Sequence, residues 1–135
     1  MPYNLLKNKK GIIFGALDKK SIAWKVAELV REEGGEIILT NAPVALRMGQ
    51  INKLGKQLDS PVIPADATDI SELENLTQKA LKHFKGKFDF VLHSIGMSLN
   101  VRKKRHYTNQ NYVWTQKGWD ISALSFHKLL QVLYE

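Results

Sequence analysis

Gly11-Ile12-Ile13-Phe14-Gly15-Ala16-Leu17-Asp18-Lys19-Lys20-Ser21-Ile22-Ala23 is the stretch on which the fold turns. A short apolar run ends in a glycine, a polar turn follows, and a segment of helical period opens at Ser21. Three further runs of the first kind are Glu36-Ile37-Ile38-Leu39-Thr40, Pro61-Val62-Ile63-Pro64-Ala65 and Phe88-Asp89-Phe90-Val91-Leu92-His93. Continuous apolar runs without strict alternation fit strands buried on both faces of a parallel sheet. Between them lie helical stripes: Ile22, Val26 and Val30 beside Ala23 and Ala27, then Val44, Met48, Ile51 and Leu58, then Leu73, Leu76, Ala80 and Phe84. Ser71 followed by Glu74 reads as a capping box opening the third helix. Ile121, Leu124, Leu129, Leu130 and Leu133 predict a fourth. Parallel strands joined by helices cross over right-handedly, so the expected class is α/β, a doubly wound parallel sheet of four strands and four helices.

Length and composition bound the rest. The chain has 135 residues, 44% hydrophobic and 24% charged, which suits one globular domain and excludes disorder. It has no cysteine, so a disulfide scaffold, a thiolate metal site and a cysteine nucleophile are excluded. No apolar run approaches the roughly 20 residues of a membrane helix, and Met1–Lys7 lacks the apolar stretch of a secretion signal. A cytoplasmic protein is expected. Twenty Lys+Arg against 13 Asp+Glu give a net charge of +7, which suits an acidic partner without choosing one.

Four places could carry chemistry. The turn from Gly15 to Ser21 joins a strand to a helix, where backbone can approach a pyrophosphate; an ordinary serine-capped turn reads the same way. Asp66 stands at the carboxyl end of the third run, the side on which such folds bind ligands, or else enters the next helix as its cap. His93-Ser94-Ile95-Gly96-Met97-Ser98 offers small residues against which a flat ring could lie, with His93 read as a packed strand-end residue. His83, His93, His106 and His127 are scattered, so no metal site is expected. Arg102-Lys103-Lys104-Arg105 beside Tyr107, Tyr112, Trp114 and Trp119 reads as a nucleic-acid surface, a solvated loop or a docking patch for an acidic carrier protein.

In register, these motifs resemble the N-terminal half of bacterial enoyl-acyl-carrier-protein reductases, a divergent branch of the short-chain dehydrogenase/reductases with a Rossmann fold. Gly15 with Ser21-Ile22-Ala23-Trp24, Asp66-Ala67-Thr68, Phe88 to Gly96, and Asp120-Ile121-Ser122 with Ser125-Phe126 carry the likeness across nearly all of residues 1–135. The resemblance implies that Gly15, Ser21 and Ile22 hold a pyrophosphate and the adjacent ribose. It places Asp66 and Ala67 at the adenine, Ala42 at the adenosine ribose, and Ser94, Ile95 and Gly96 at the nicotinamide ribose. Ser98 falls where the family's substrate pocket begins.

The implied activity is reduction of an enoyl chain on acyl carrier protein in fatty acid synthesis, with NAD as cofactor. Thr40-Asn41-Ala42-Pro43 carries neither an acid for a free 2′-hydroxyl nor an arginine for a phosphate. NADH is expected over NADPH, with Arg47 the nearest residue for the opposite answer. The family's catalytic tyrosine and lysine, separated by six residues, lie beyond the fourth helix, and Tyr107, Tyr112 and Tyr134 do not stand in that motif. The chain is therefore expected to be a nucleotide-binding half, truncated before the catalytic helix and inactive alone, with no catalytic residue of its own. Its bare strand edge and helix face predict a homo-oligomer. The rival readings are a noncatalytic dinucleotide-binding or regulatory half-domain and a basic nucleic-acid-binding protein. No nucleic-acid or membrane partner is expected.

Overall fold

A computed structural model describes residues 2–134. Strand β1 (Lys10–Phe14) leads to helix α1 (Ile22–Glu32) and strand β2 (Glu36–Thr40). Helices α2 (Pro43–Met48), α3 (Ile51–Gln57) and α4 (Ile70–Phe84) precede strand β3 (Phe90–His93). Then come α5 (Leu99–Arg102), a 3₁₀ turn (Tyr107–Asn109), α6 (Tyr112–Trp119), a π turn (Asp120–Leu124) and α7 (Ser125–Leu133). The sheet runs β2-β1-β3, all parallel, with Ile12 opposite Ile38 on one side and Val91 on the other.

The α/β class and the parallel sheet agree with the sequence reading; the strand count does not. Residues 61–65 run parallel to β2 but form only a bridge, Leu39 to Val62. Leu39 N donates to Pro61 O at 2.9 Å, Ile63 N to Leu39 O at 3.0 Å and Ala65 N to Asn41 O at 3.0 Å. Pro61 has no N–H to donate toward β2, which shortens the ladder on this edge, while the N of Pro64, between the donors Ile63 and Ala65, faces away from β2. Three strands are thus present among the described residues, with the expected fourth reduced to a paired edge.

Side chains alternate across the sheet and bury both faces. Ile12, Phe14 and Ile38 pack against Leu73, Leu76, Ala80 and Phe84 of α4 and Leu129 of α7. Ile13, Ile37 and Leu39 pack against Ala23, Trp24, Ala27 and Val30 of α1 and Ile51 and Leu54 of α3. The α4 stripe is thus the predicted one. That of α1 is rotated: Ile22 is exposed, while Trp24 is fully buried with Nε1 donating to Glu28 Oε1 at 3.0 Å. The second predicted helix breaks at Gly49 and Gln50, leaving Val44 and Met48 exposed. Leu129, expected on an uncovered face, is in the core. Among the described residues no helix is long and apolar enough to cross a membrane.

Candidate functional site

The carboxyl ends of β1, β2, residues 61–65 and β3 all open into one cleft of about 400 Å³. Gly15 and Ala42 line it from the first two ends, Asp66 and Ala67 from the third, and Ser94, Ile95 and Gly96 from the last. Seven of the predicted site residues, dispersed over eighty positions of sequence, therefore share one concavity. Ser21 and Ile22 stand at the entry of α1, outside its lining, and so does exposed Arg47 on α2. Ser98 lines a neighbouring pocket of about 370 Å³ with Met97, Trp114, Trp119 and Ser122.

The floor is built by close backbone approach. Gly15 has φ +98°, and a Cβ there would run into the Ser94 carbonyl oxygen. Its glycine is required by the protein's own packing, a reason the sequence reading did not include. Asn41 joins the first two loops, Nδ2 donating to Ala16 O at 3.1 Å and Oδ1 accepting from Ala42 N at 2.9 Å. The Ser21 hydroxyl does not cap α1. It donates to Asp18 O at 2.6 Å and accepts from Leu17 N at 3.2 Å, closing the turn and leaving the helix's first N–H groups without a side-chain cap.

Asp66 is not the cap of α4 either. Asp69 is, accepting from Ser71 N at 2.9 Å and Glu72 N at 3.2 Å, so the cap lies two residues before the predicted Ser71 and the Ser71–Glu74 capping box does not form. The Ser71 hydroxyl and these N–H groups hold the Asp69 carboxyl below the usual carboxylate range. Glu72 reaches back to Asp66 N at 2.7 Å. Both hydrogen bonds to the Asp66 carboxylate fall on Oδ1, from Thr68 N and Oγ1, which leaves Oδ2 as an acceptor beside the cleft.

The opposite wall comes from the stretch expected to be irregular. The Ser122 hydroxyl takes a hydrogen bond from Met97 N at 3.0 Å, tying the π turn to the loop after β3. Interruptions of this type recur at functional sites. Asn100, only 2% exposed, donates to Asn111 O and Thr115 Oγ1 and accepts from Asn111 N. Arg102, Lys117 and Ile121 face the cleft from this wall. Sequence reasoning missed Lys117; its one signal was the four-residue spacing to Ile121, which puts both on one helix face. Arg105 instead lies 5.7 Å over the Trp114 ring, so the basic run is split between cleft and stack. His93 packs edge-on against Phe126, as a strand-end histidine should. Among the described residues no cluster of three His, Cys, Asp or Glu could hold a metal.

These residues suit a dinucleotide. Gly96 has nothing within 4 Å of where its Cβ would be, so this glycine keeps open space in the cleft rather than packing against protein. A free carboxylate oxygen, small strand-end residues and two cations complete a donor set for a base, sugars and phosphates.

A family model described as Enoyl-(Acyl carrier protein) reductase matches residues 15–135. Among curated proteins, an enoyl-acyl-carrier-protein reductase (NADH) of Rhizobium meliloti is 30% identical over 126 residues, covering 93% of this chain and 46% of the relative. A second from the same organism is 32% identical over 123 residues, covering 90% and 44%. The FabI–NADH complex of Alistipes finegoldii superposes with a TM-score of 0.95 at 59% identity, over 98% of this chain and 47% of that one. The chain spans about half the length of the curated relatives it matches.

Proposed function

We propose, from the premise that this chain belongs to the enoyl-acyl-carrier-protein reductase family, that it is the NADH-holding part of such an enzyme, acting in the cytoplasm as a homo-oligomer on acyl-carrier-protein-linked enoyl substrate. The observation that carries this reading is the convergence of three strand ends and the 61–65 edge on one cleft lined by Gly15, Ala42, Asp66, Ala67, Ser94, Ile95 and Gly96. Ligands of open α/β sheets lie in this position.

In this reading Asp66 Oδ2 accepts from the adenine amine and Ala67 packs on the ring. Ala42 faces the adenosine ribose. Gly15 and the first N–H groups of α1, at Ser21 and Ile22, attract the pyrophosphate. Ser94, Ile95 and Gly96 seat the second ribose, which sets the nicotinamide toward Ser98 and the adjoining pocket. A bound nicotinamide supplies a hydride for the β-carbon of an enoyl thioester. Preference for NADH over NADPH follows from Ala42, since the cleft offers no cation at that end and Arg47 lies outside its lining.

The tyrosine–lysine spacing of the family recurs once, at Tyr3 and Lys10. Lys10 opens β1 at the far end of the sheet and donates to Phe84 O at 2.7 Å, while Tyr3 is 82% exposed. We therefore assign no catalytic proton donor to these residues. Nicotinamide fluorescence and calorimetry on the 135-residue chain test the reading: saturable NADH binding, weaker NADPH binding and no enoyl-thioester-dependent oxidation are expected. Absence of NADH binding by folded chain would overturn it.

A further inference from the structure

Three charged residues line the cleft: Asp66 on the floor, and Arg102 and Lys117 on the α5–α6 wall. Three lysines elsewhere are neutralised within the chain, Lys128 by Asp120 at 2.9 Å, Lys9 by Asp89 at 3.1 Å and Lys25 by Glu28 at 2.8 Å. Among the described residues, the side chains of Arg102 and Lys117 make neither ion pair nor hydrogen bond. The floor carries no cation at all. An anion entering this cleft meets positive charge on one wall only.

That wall is held firmly. Asn100 is buried with its amide bonded on both sides, 3.2 Å to Asn111 O, 3.1 Å to Thr115 Oγ1 and 2.9 Å from Asn111 N. A buried amide satisfied this fully specifies one arrangement, because any slip leaves it unpaired. Arg102 follows Asn100 by two residues and Lys117 follows Thr115 by two. The bonds of Asn100 therefore fix the two backbone positions from which these cations extend, at the price of a polar group in the interior.

We propose that Arg102 and Lys117 form a clamp on the pyrophosphate of a dinucleotide in this cleft, aligned by Asn100 as a positioning residue. The inference rests on the reading of the cleft as a dinucleotide site. Two unpaired cations match the two negative charges of a pyrophosphate diester, and they line the same cleft as the Gly15 turn.

The test compares wild type with Arg102→Gln, Lys117→Gln and the double variant, using NADH, ADP-ribose, adenosine and coenzyme A as probes. Each single change should weaken NADH and ADP-ribose about fivefold and the pair about twentyfold, with adenosine unchanged. The dependence of affinity on salt should fall in the same order. Asn100→Ala should weaken NADH alone but add little in the double variant, whereas a purely structural role would add its full loss. Wild type that binds no NADH overturns the cleft assignment itself. Wild-type binding with unchanged variants overturns the clamp alone. Equal loss for adenosine, or loss confined to coenzyme A, assigns the cations to folding or to the acyl carrier's phosphate and overturns the dinucleotide clamp.

Discussion

His93 Nε2 lies 2.8 Å from Ser125 Oγ, and that hydroxyl donates its own proton to Ile121 O at 2.7 Å. With its single hydrogen committed, Ser125 can only accept from the ring, so His93 carries its proton on Nε2. The pair fastens the end of β3 to the start of α7 behind the cleft. Burial lowers the His93 pKa from the ordinary histidine value of 6.5, because the charged ring would lose solvation there.

Above pH 6.5 the ring is neutral in both folded and unfolded chain, and the pairing contributes fully. Below that value the unfolded chain takes up a proton before the folded one does, so stability falls as pH drops toward the lowered folded value. Urea midpoints should therefore decline between pH 7.5 and 5.5 more steeply in wild type than in His93→Asn. Parallel declines in the two proteins would show that His93 is not the group responsible.

Gly15 and Gly96 separate packing from ligand space. At Gly15 a side chain meets the Ser94 carbonyl and a φ of +98°, so Gly15→Ala should lower stability by about 3 kcal/mol with no ligand present. At Gly96 an added Cβ meets nothing within 4 Å, so the melting temperature of Gly96→Val should stay within a degree or two of wild type while NADH affinity drops at least about tenfold. Calorimetry beside thermal melts reads both. Intact NADH binding in folded Gly96→Val would remove this glycine from the site.

Asp66 and Asp69 carry opposite expectations. Asp66→Asn retains an oxygen for Thr68 but turns an amide toward the adenine amine, setting donor against donor. It should cost about 1–2 kcal/mol in NADH binding and little stability. Asp69→Ala removes the cap of α4 and should cost about 1 kcal/mol of stability with unchanged binding. Reversed outcomes would exchange the two roles.

The fold class was legible because buried strands and the α4 stripe write themselves as continuous apolar runs and a clean helical period. The edge at 61–65 was not, since its apolar content suits a strand while Pro61 withholds a donor from β2 and only three ladder bonds form. The break at Gly49 was hidden by apolar Val44 and Met48, which continue the helical period but face solvent. On the floor of the cleft, position relative to strand ends was enough to find Asp66 and Ser94–Gly96. The wall was harder. Asn100 is buried by contacts between α5 and α6 and Lys117 lines the cleft from α6, and no local pattern announces which amide will be buried or which lysine will face inward.

The segment from α6 to α7 also exposes large apolar side chains. Trp119 is 66% exposed, Leu124 53%, Phe126 48% and Leu130 50%, and all four lie on the stretch from the end of α6 through the π turn into α7. Beside them β3 is an edge strand, its four residues only half-buried. Large apolar side chains next to an open parallel edge form a surface that seldom stays bare in water. The 135-residue chain should therefore be dimeric or larger by light scattering at micromolar concentration. Phe126 also packs on His93, so the informative variant is Leu124→Glu with Leu130→Glu, which touches neither the core nor the cleft. It should raise the monomer fraction while leaving NADH affinity within about twofold. A wild-type chain that stays monomeric across that range would show that this face is tolerated by solvent and needs no second copy.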